Sequence, residues 1–82
     1  MEIKVLGTGC AKCARLYEAV EQAVMQAGVD ATIQKVEDIT EIMAHGVMMT
    51  PALVLDGTIL CMGKVPRVGD IVEWLTRASS TN

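Results

Sequence analysis

The sequence predicts a small α/β domain whose elements run β-α-β-α-β-β-α, and three observations carry that expectation. Short apolar or alternating runs, the spacing of strands, fall at residues 2–6, 29–36, 52–55 and 58–62. Between and after them, residues 11–27 and 68–77 repeat apolar side chains at helical spacing, and residues 39–45 do so over a shorter stretch. Glycine, proline and Asp-Gly punctuation separates these segments, and the chain has 82 residues, enough for one core.

In chain order, residues 2–6 form the first strand, with Ile3, Val5 and Leu6 apolar, and Gly7-Thr8-Gly9 turns the backbone tightly into a helix. Over residues 11–27, Val20, Ala23, Val24 and Ala27 follow Leu16 by 4, 7, 8 and 11 positions, which gathers them on one helical face. Gly28 caps that helix. Alternation at Val29, Ala31 and Ile33 gives a second strand over residues 29–36. Asp38 then caps a short helix that carries Ile39, Ile42 and Met43 on one side and stops at Gly46.

Pro51 suits the start of a strand, where its missing N–H removes no ladder bond, and Asp56-Gly57 joins residues 52–55 to 58–62 as an antiparallel hairpin. Val68, Ile71, Val72 and Leu75 define the last helix. The division expected is one domain over residues 1–77 and a small, polar, flexible tail over residues 78–82. Tyr17 and Trp74 are the only aromatic residues, so six methionines are expected to supply part of the packing volume.

The chemistry concentrates in Cys10-Ala11-Lys12-Cys13, between the first strand and the first helix. The first turn of a helix has N–H groups without internal partners and a partial positive charge, and both stabilise a thiolate. The thiolate is the nucleophile of disulfide exchange, and such settings lower cysteine pKa values to roughly 3.5–7.5. Lys12 adds a cation between the two sulfurs. Cys13, three positions on, shares the side of Cys10 and lies further into the helix. Cys10 is then suited to attack a disulfide and Cys13 to resolve the mixed disulfide. The same spacing can also close two thiolates around a soft metal such as copper or zinc, which is the alternative function.

Other candidate groups have simpler explanations. Tyr17 is four residues beyond Cys13 but suits half-buried packing. His45 lies in the last turn of the short helix, where an imidazole interacts favourably with the helix terminus, and it is not counted as a metal ligand. Cys61 on the returning hairpin strand reads as a small apolar core residue, with a zinc ligand or regulatory thiol as alternatives.

A formal charge of −3 and the lack of any Lys/Arg cluster argue against nucleic-acid and anionic-membrane partners, which need a basic face. No apolar run approaches a membrane span, and the first residues enter a strand pattern without a leader-like segment, so a cytoplasmic location is expected. An odd cysteine count in a reducing compartment suits redox or metal chemistry better than a structural disulfide framework.

With Cys-x-x-Cys after the first strand and Thr50-Pro51 opening the third, this order resembles the small prokaryotic thioredoxin-like or glutaredoxin-like redox-active disulfide proteins over residues 1–77. The resemblance implies a thioredoxin-like fold with a central four-stranded mixed sheet flanked by helices. It implies a thiol-disulfide oxidoreductase with Cys10 as nucleophile, Cys13 as resolving cysteine, and Pro51 as a cis-proline that with Thr50 frames the substrate groove. Implied partners are disulfide-containing proteins or small molecules and a flavoprotein of thioredoxin-reductase type, with no bound cofactor and no metal. Ala11-Lys12 differs from the Gly-Pro and Pro-Tyr dipeptides of thioredoxins and glutaredoxins, and Gly9 replaces the aromatic residue that precedes the motif in thioredoxin. Copper-chaperone domains of ferredoxin-like type also place Gly-x-x-Cys-x-x-Cys after a first strand, but they end on a strand rather than a helix.

Overall fold

A computed structural model describes residues 1–9 and 11–79. Its elements are β1 (Glu2–Leu6), α1 (Ala11–Ala27), β2 (Thr32–Val36), α2 (Ile39–Ala44), β3 (Ala52–Leu55), β4 (Thr58–Met62) and α3 (Val68–Ser79). The sheet order is β2-β1-β3-β4, with β1 parallel to β2 and the other two pairings antiparallel. This is the mixed sheet of a thioredoxin-like fold. The β1–α1–β2 crossover supplies the parallel pair, and a tight hairpin supplies β3 and β4.

The two faces of the sheet hold separate apolar layers, because successive side chains along a strand point to opposite sides. Ile3, Val5, Leu53, Leu55 and Cys61 pack with Leu16, Val20 and Ala23 of α1 and with Ile71 and Leu75 of α3. Leu6, Val36, Ala52 and Val54 pack on the other side with Ile42 of α2 and with Val47. Every residue of β3 is buried, as a strand covered on both faces requires. At the hairpin, Asp56 and Gly57 both have positive φ, 47° and 86°, the backbone of a two-residue turn matched to strand twist. Asp56 also accepts a 2.8 Å hydrogen bond through Oδ1 from the Glu2 N–H. Its own N–H donates to the Glu2 carbonyl, also at 2.8 Å, so the turn is tied to the start of β1.

Four expectations need correction. The second strand begins at Thr32, not at residue 29: its ladder starts with the Glu2–Thr32 pair, and beyond Glu2 there is no β1 left to pair with. In α2, which ends at Ala44 with His45 as its C-cap, Ile42 is buried while Ile39 and Met43 are 61% and 68% exposed. Two turns of helix meet the sheet along too narrow a line to cover all three. α3 continues to Ser79, two residues beyond the expected end, and the remaining tail residues 80–82 lie outside the described residues. Nor do the methionines fill the core. Met25, Met43, Met48, Met49 and Met62 are exposed, and branched aliphatic side chains from the sheet and helices occupy the interior instead.

Candidate functional site

The site is assembled where β1 ends and α1 begins. β1 turns Ile3 and Val5 toward α1, so its alternation brings position 7 to the same side, and that position is a glycine. The Gly7 N–H donates to the Val36 carbonyl at 2.9 Å, extending the parallel pairing by one bond and fixing the backbone there. A β-carbon placed on Gly7 would lie 2.3 Å from Cys13 Sγ, 3.2 Å from Cys13 Cβ and 3.8 Å from the Pro51 Cα. The missing side chain is therefore the seat of the Cys13 sulfur. Gly7 is sandwiched between Cys13 of α1 and Pro51 at the entrance to β3.

Cys13 is the third residue of α1 and is 7% exposed, whereas Lys12 beside it is exposed. A helix turns by about 100° per residue, which separates neighbouring side chains in this way. The Thr50–Pro51 peptide is cis, with Pro51 buried and Thr50 exposed. The Pro51 carbonyl accepts from the Gly63 N–H at 2.8 Å. Cys10 lies outside the described residues. Of the other residues expected at the site, the structure brings Cys13 and Pro51 together across Gly7.

A cavity of about 250 Å³ opens beside Cys13, lined also by Val5, Gly7, Gly9, Ala14, Lys35 and Glu37. Lys12 is not among its lining residues. Gly9 has φ +86°, a region that disfavours any residue with a β-carbon, and a carboxylate oxygen of Glu37 stands 3.3 Å from where that β-carbon would be. Lys35 places its ammonium 4.6 Å from the centre of the Tyr17 ring, a cation–π contact on the α1 side of the sheet.

Sequence reasoning singled out neither Gly7 as a seat for sulfur nor Lys35 and Glu37 as cavity walls. A signal for Gly7 existed: a glycine continuing the Ile3, Val5 alternation marks a close approach by another element. For Glu37 no local pattern could serve, because its place depends on β2 lying parallel to β1.

Tyr17 is half-buried and packs against the α1 layer, as its spacing suggested. His45 caps α2 through its backbone N–H, which reaches the Glu41 and Ile42 carbonyls at 3.2 Å each. Cys61 is buried in the layer beneath α1 and α3. Burial pushes its thiol pKa up, against smaller opposing effects of Lys64 and a hydrogen bond with the Leu53 backbone. Among the described residues, no three His, Cys, Asp or Glu side chains cluster as a metal site would require, and no helix is long and apolar enough to cross a membrane.

Comparison with known proteins adds to this geometry. A family model described as a thioredoxin domain matches residues 1–76. A thioredoxin of Methanocaldococcus jannaschii is 47% identical over 73 residues, a span covering 89% of this chain and 84% of that protein. A thioredoxin of Methanothermobacter thermautotrophicus is 34% identical over 76 residues, covering 93% of this chain and 99% of its own length.

Proposed function

We propose, for a chain that belongs to the thioredoxin domain family and is a disulfide oxidoreductase, that its electrons pass through the Cys10–Cys13 pair. The observation that carries this reading is the position of Cys13, buried on the first turn of α1 with its sulfur against Gly7 and one helical turn along the sequence from Cys10.

In the reductive direction, the Cys10 thiolate attacks one sulfur of a substrate disulfide and expels the other as a thiol. Cys13 then loses its proton and attacks Cys10. The Cys10–substrate bond breaks, a Cys10–Cys13 disulfide forms, and the substrate leaves fully reduced. The partial positive charge at the start of α1 and the Lys12 ammonium favour the Cys10 thiolate. Burial of Cys13 suits it to wait until a substrate is attached to Cys10.

Thr50 and Pro51 frame the groove for an extended substrate segment, supported by the placement of Pro51 across Gly7 from Cys13. The substrates are protein or small-molecule disulfides. A flavoprotein of thioredoxin-reductase type returns the dithiol to its reduced state in the cytoplasm.

Single cysteine variants test the assignment. Cys13→Ser accumulates a mixed disulfide through Cys10 when given a disulfide substrate, and Cys10→Ser loses turnover. Full disulfide reductase activity in both variants would overturn it.

A further inference from the structure

The end of α2 carries sulfur that neither the core nor the cysteine site uses. Met43 and Met48, just before and just after the turn that follows this helix, are 68% and 88% exposed. We propose that these two thioethers together bind a soft monovalent cation, copper(I) or silver(I). The site is separate from the Cys10–Cys13 pair and draws on no step of its chemistry.

Exposure alone would not select them, since Met25 near the end of α1 is 80% exposed. Their placement does. α2 runs to Ala44 with His45 as its cap, and the Gly46 N–H then donates to the Met43 carbonyl at 2.9 Å. Gly46 takes φ +78°, the left-handed backbone that turns a chain back at a helix end. Val47 is buried in the layer beneath α2, so the next residue, Met48, returns beside Met43. The two methionines line one cavity, with Gly46 and Val47 completing its wall. Met49 packs elsewhere, on Gly63, with its Cε 2.8 Å and its Sδ 3.3 Å from where a β-carbon on that glycine would lie.

The lining of this cavity selects the class of ion. Among the described residues, no carboxylate, imidazole or thiol lines it, which removes the oxygen ligands of calcium and magnesium and the usual ligands of zinc. Thioether sulfur is soft and uncharged, and it favours copper(I) over hard divalent ions. A cavity of about 370 Å³ has room for waters that complete the coordination, each occupying about 30 Å³ in the liquid. Neutral sulfurs offset none of the ion's charge, so the ion exchanges with solvent and does not survive dialysis.

Silver(I) is the probe, because it keeps one oxidation state in air. The full chain with Cys10→Ser and Cys13→Ser removes the competing thiols at the mouth of α1, and Cys61 is buried. Carbon-13 methyl labels on methionine report each thioether separately by NMR. Silver nitrate in chloride-free buffer is expected to shift the Met43 and Met48 methyl signals together, with one midpoint, before the Met25 signal moves. Zinc is expected to shift neither.

Met43→Leu and Met48→Leu keep an apolar side chain of similar volume and remove only the sulfur. Each is expected to weaken silver binding at the remaining methionine by about tenfold or more, since losing even an outer partner of a metal site costs about that much. Met25→Leu leaves the midpoint unchanged. Titration of Met43, Met48 and Met25 at the same silver concentration would overturn the proposal, as would an equal response to zinc. So would a leucine variant that leaves the midpoint at the other methionine unchanged, because the two sulfurs would then act singly.

Discussion

Replacing Gly7 by alanine puts a methyl group where the Cys13 sulfur now lies. The added β-carbon falls 2.3 Å from Sγ, far inside van der Waals contact, and 3.2 Å from Cys13 Cβ. The backbone at position 7 has little freedom to withdraw, because its N–H is bonded to the Val36 carbonyl and the Pro51 backbone stands on its other side. Inserting one methyl group into a packed site costs about 1–3 kcal/mol. Alanine restricts the unfolded chain more than glycine does, which returns about 0.4–1 kcal/mol.

The net destabilisation expected reaches about 2.6 kcal/mol, a fall in Tm of up to about 20 °C at the 4–8 °C per kcal/mol typical of domains this small. If the sulfur rotates into the adjacent cavity instead, less stability is lost, but the thiol we propose as the resolving one leaves its position, and release of the second nitrothiolate from the aromatic disulfide dithiobis(nitrobenzoate) slows. Thermal unfolding of the reduced protein and the two-step release assay together read both outcomes. Adding Cys13→Ala to Gly7→Ala removes the sulfur and is expected to lower the cost of the new methyl. A Gly7→Ala protein at least as stable as the parent, with an unchanged second release, would refute the claim that Gly7 seats Cys13.

Two further predictions concern the rest of the fold. Burial raises the Cys61 thiol pKa above the ordinary thiol value, so the folded protein holds its proton more tightly than the unfolded chain. The resulting stabilisation is complete below the unfolded pKa and is lost as pH rises through the folded value. Urea unfolding should therefore show an alkaline loss of stability that is reduced in Cys61→Ala, and an identical pH dependence in the two proteins would contradict this. Asp56 combines a positive φ with a side-chain bond to the start of β1. Asp56→Ala should cost about 1–3 kcal/mol, whereas Asp56→Asn, which tolerates that backbone and keeps an acceptor, should lose less in the same assay.

Local patterns made much of the architecture legible. The 4, 7, 8, 11 spacing after Leu16 describes the face α1 buries, with Leu16, Val20 and Ala23 fully inside. Asp56-Gly57 announced a hairpin whose two positive φ values such residues tolerate. Features dependent on tertiary surroundings were less visible. Val29 and Ala31 continue the strand alternation, but β2 cannot pair beyond the end of β1. Ile39 and Met43 look like core residues, yet only Ile42 reaches the sheet layer.

At the site, the cysteine spacing and the Thr-Pro pair were readable from the chain. The contact of Gly7 with the Cys13 sulfur arises only when β1 and α1 are folded together. The position of Glu37 needs one further step, the parallel docking of β2, which no window of adjacent residues encodes.

The most direct test of the redox assignment is to purify the full chain without reductant, then determine its intact mass, its metal content and the cysteine linkages in a peptide digest. The account predicts a metal-free protein lacking two hydrogens, with Cys10 joined to Cys13, that a dithiol returns to the reduced mass. A protein with both thiols intact and stoichiometric copper or zinc, or one in which no dithiol reagent interconverts the two forms, would contradict it.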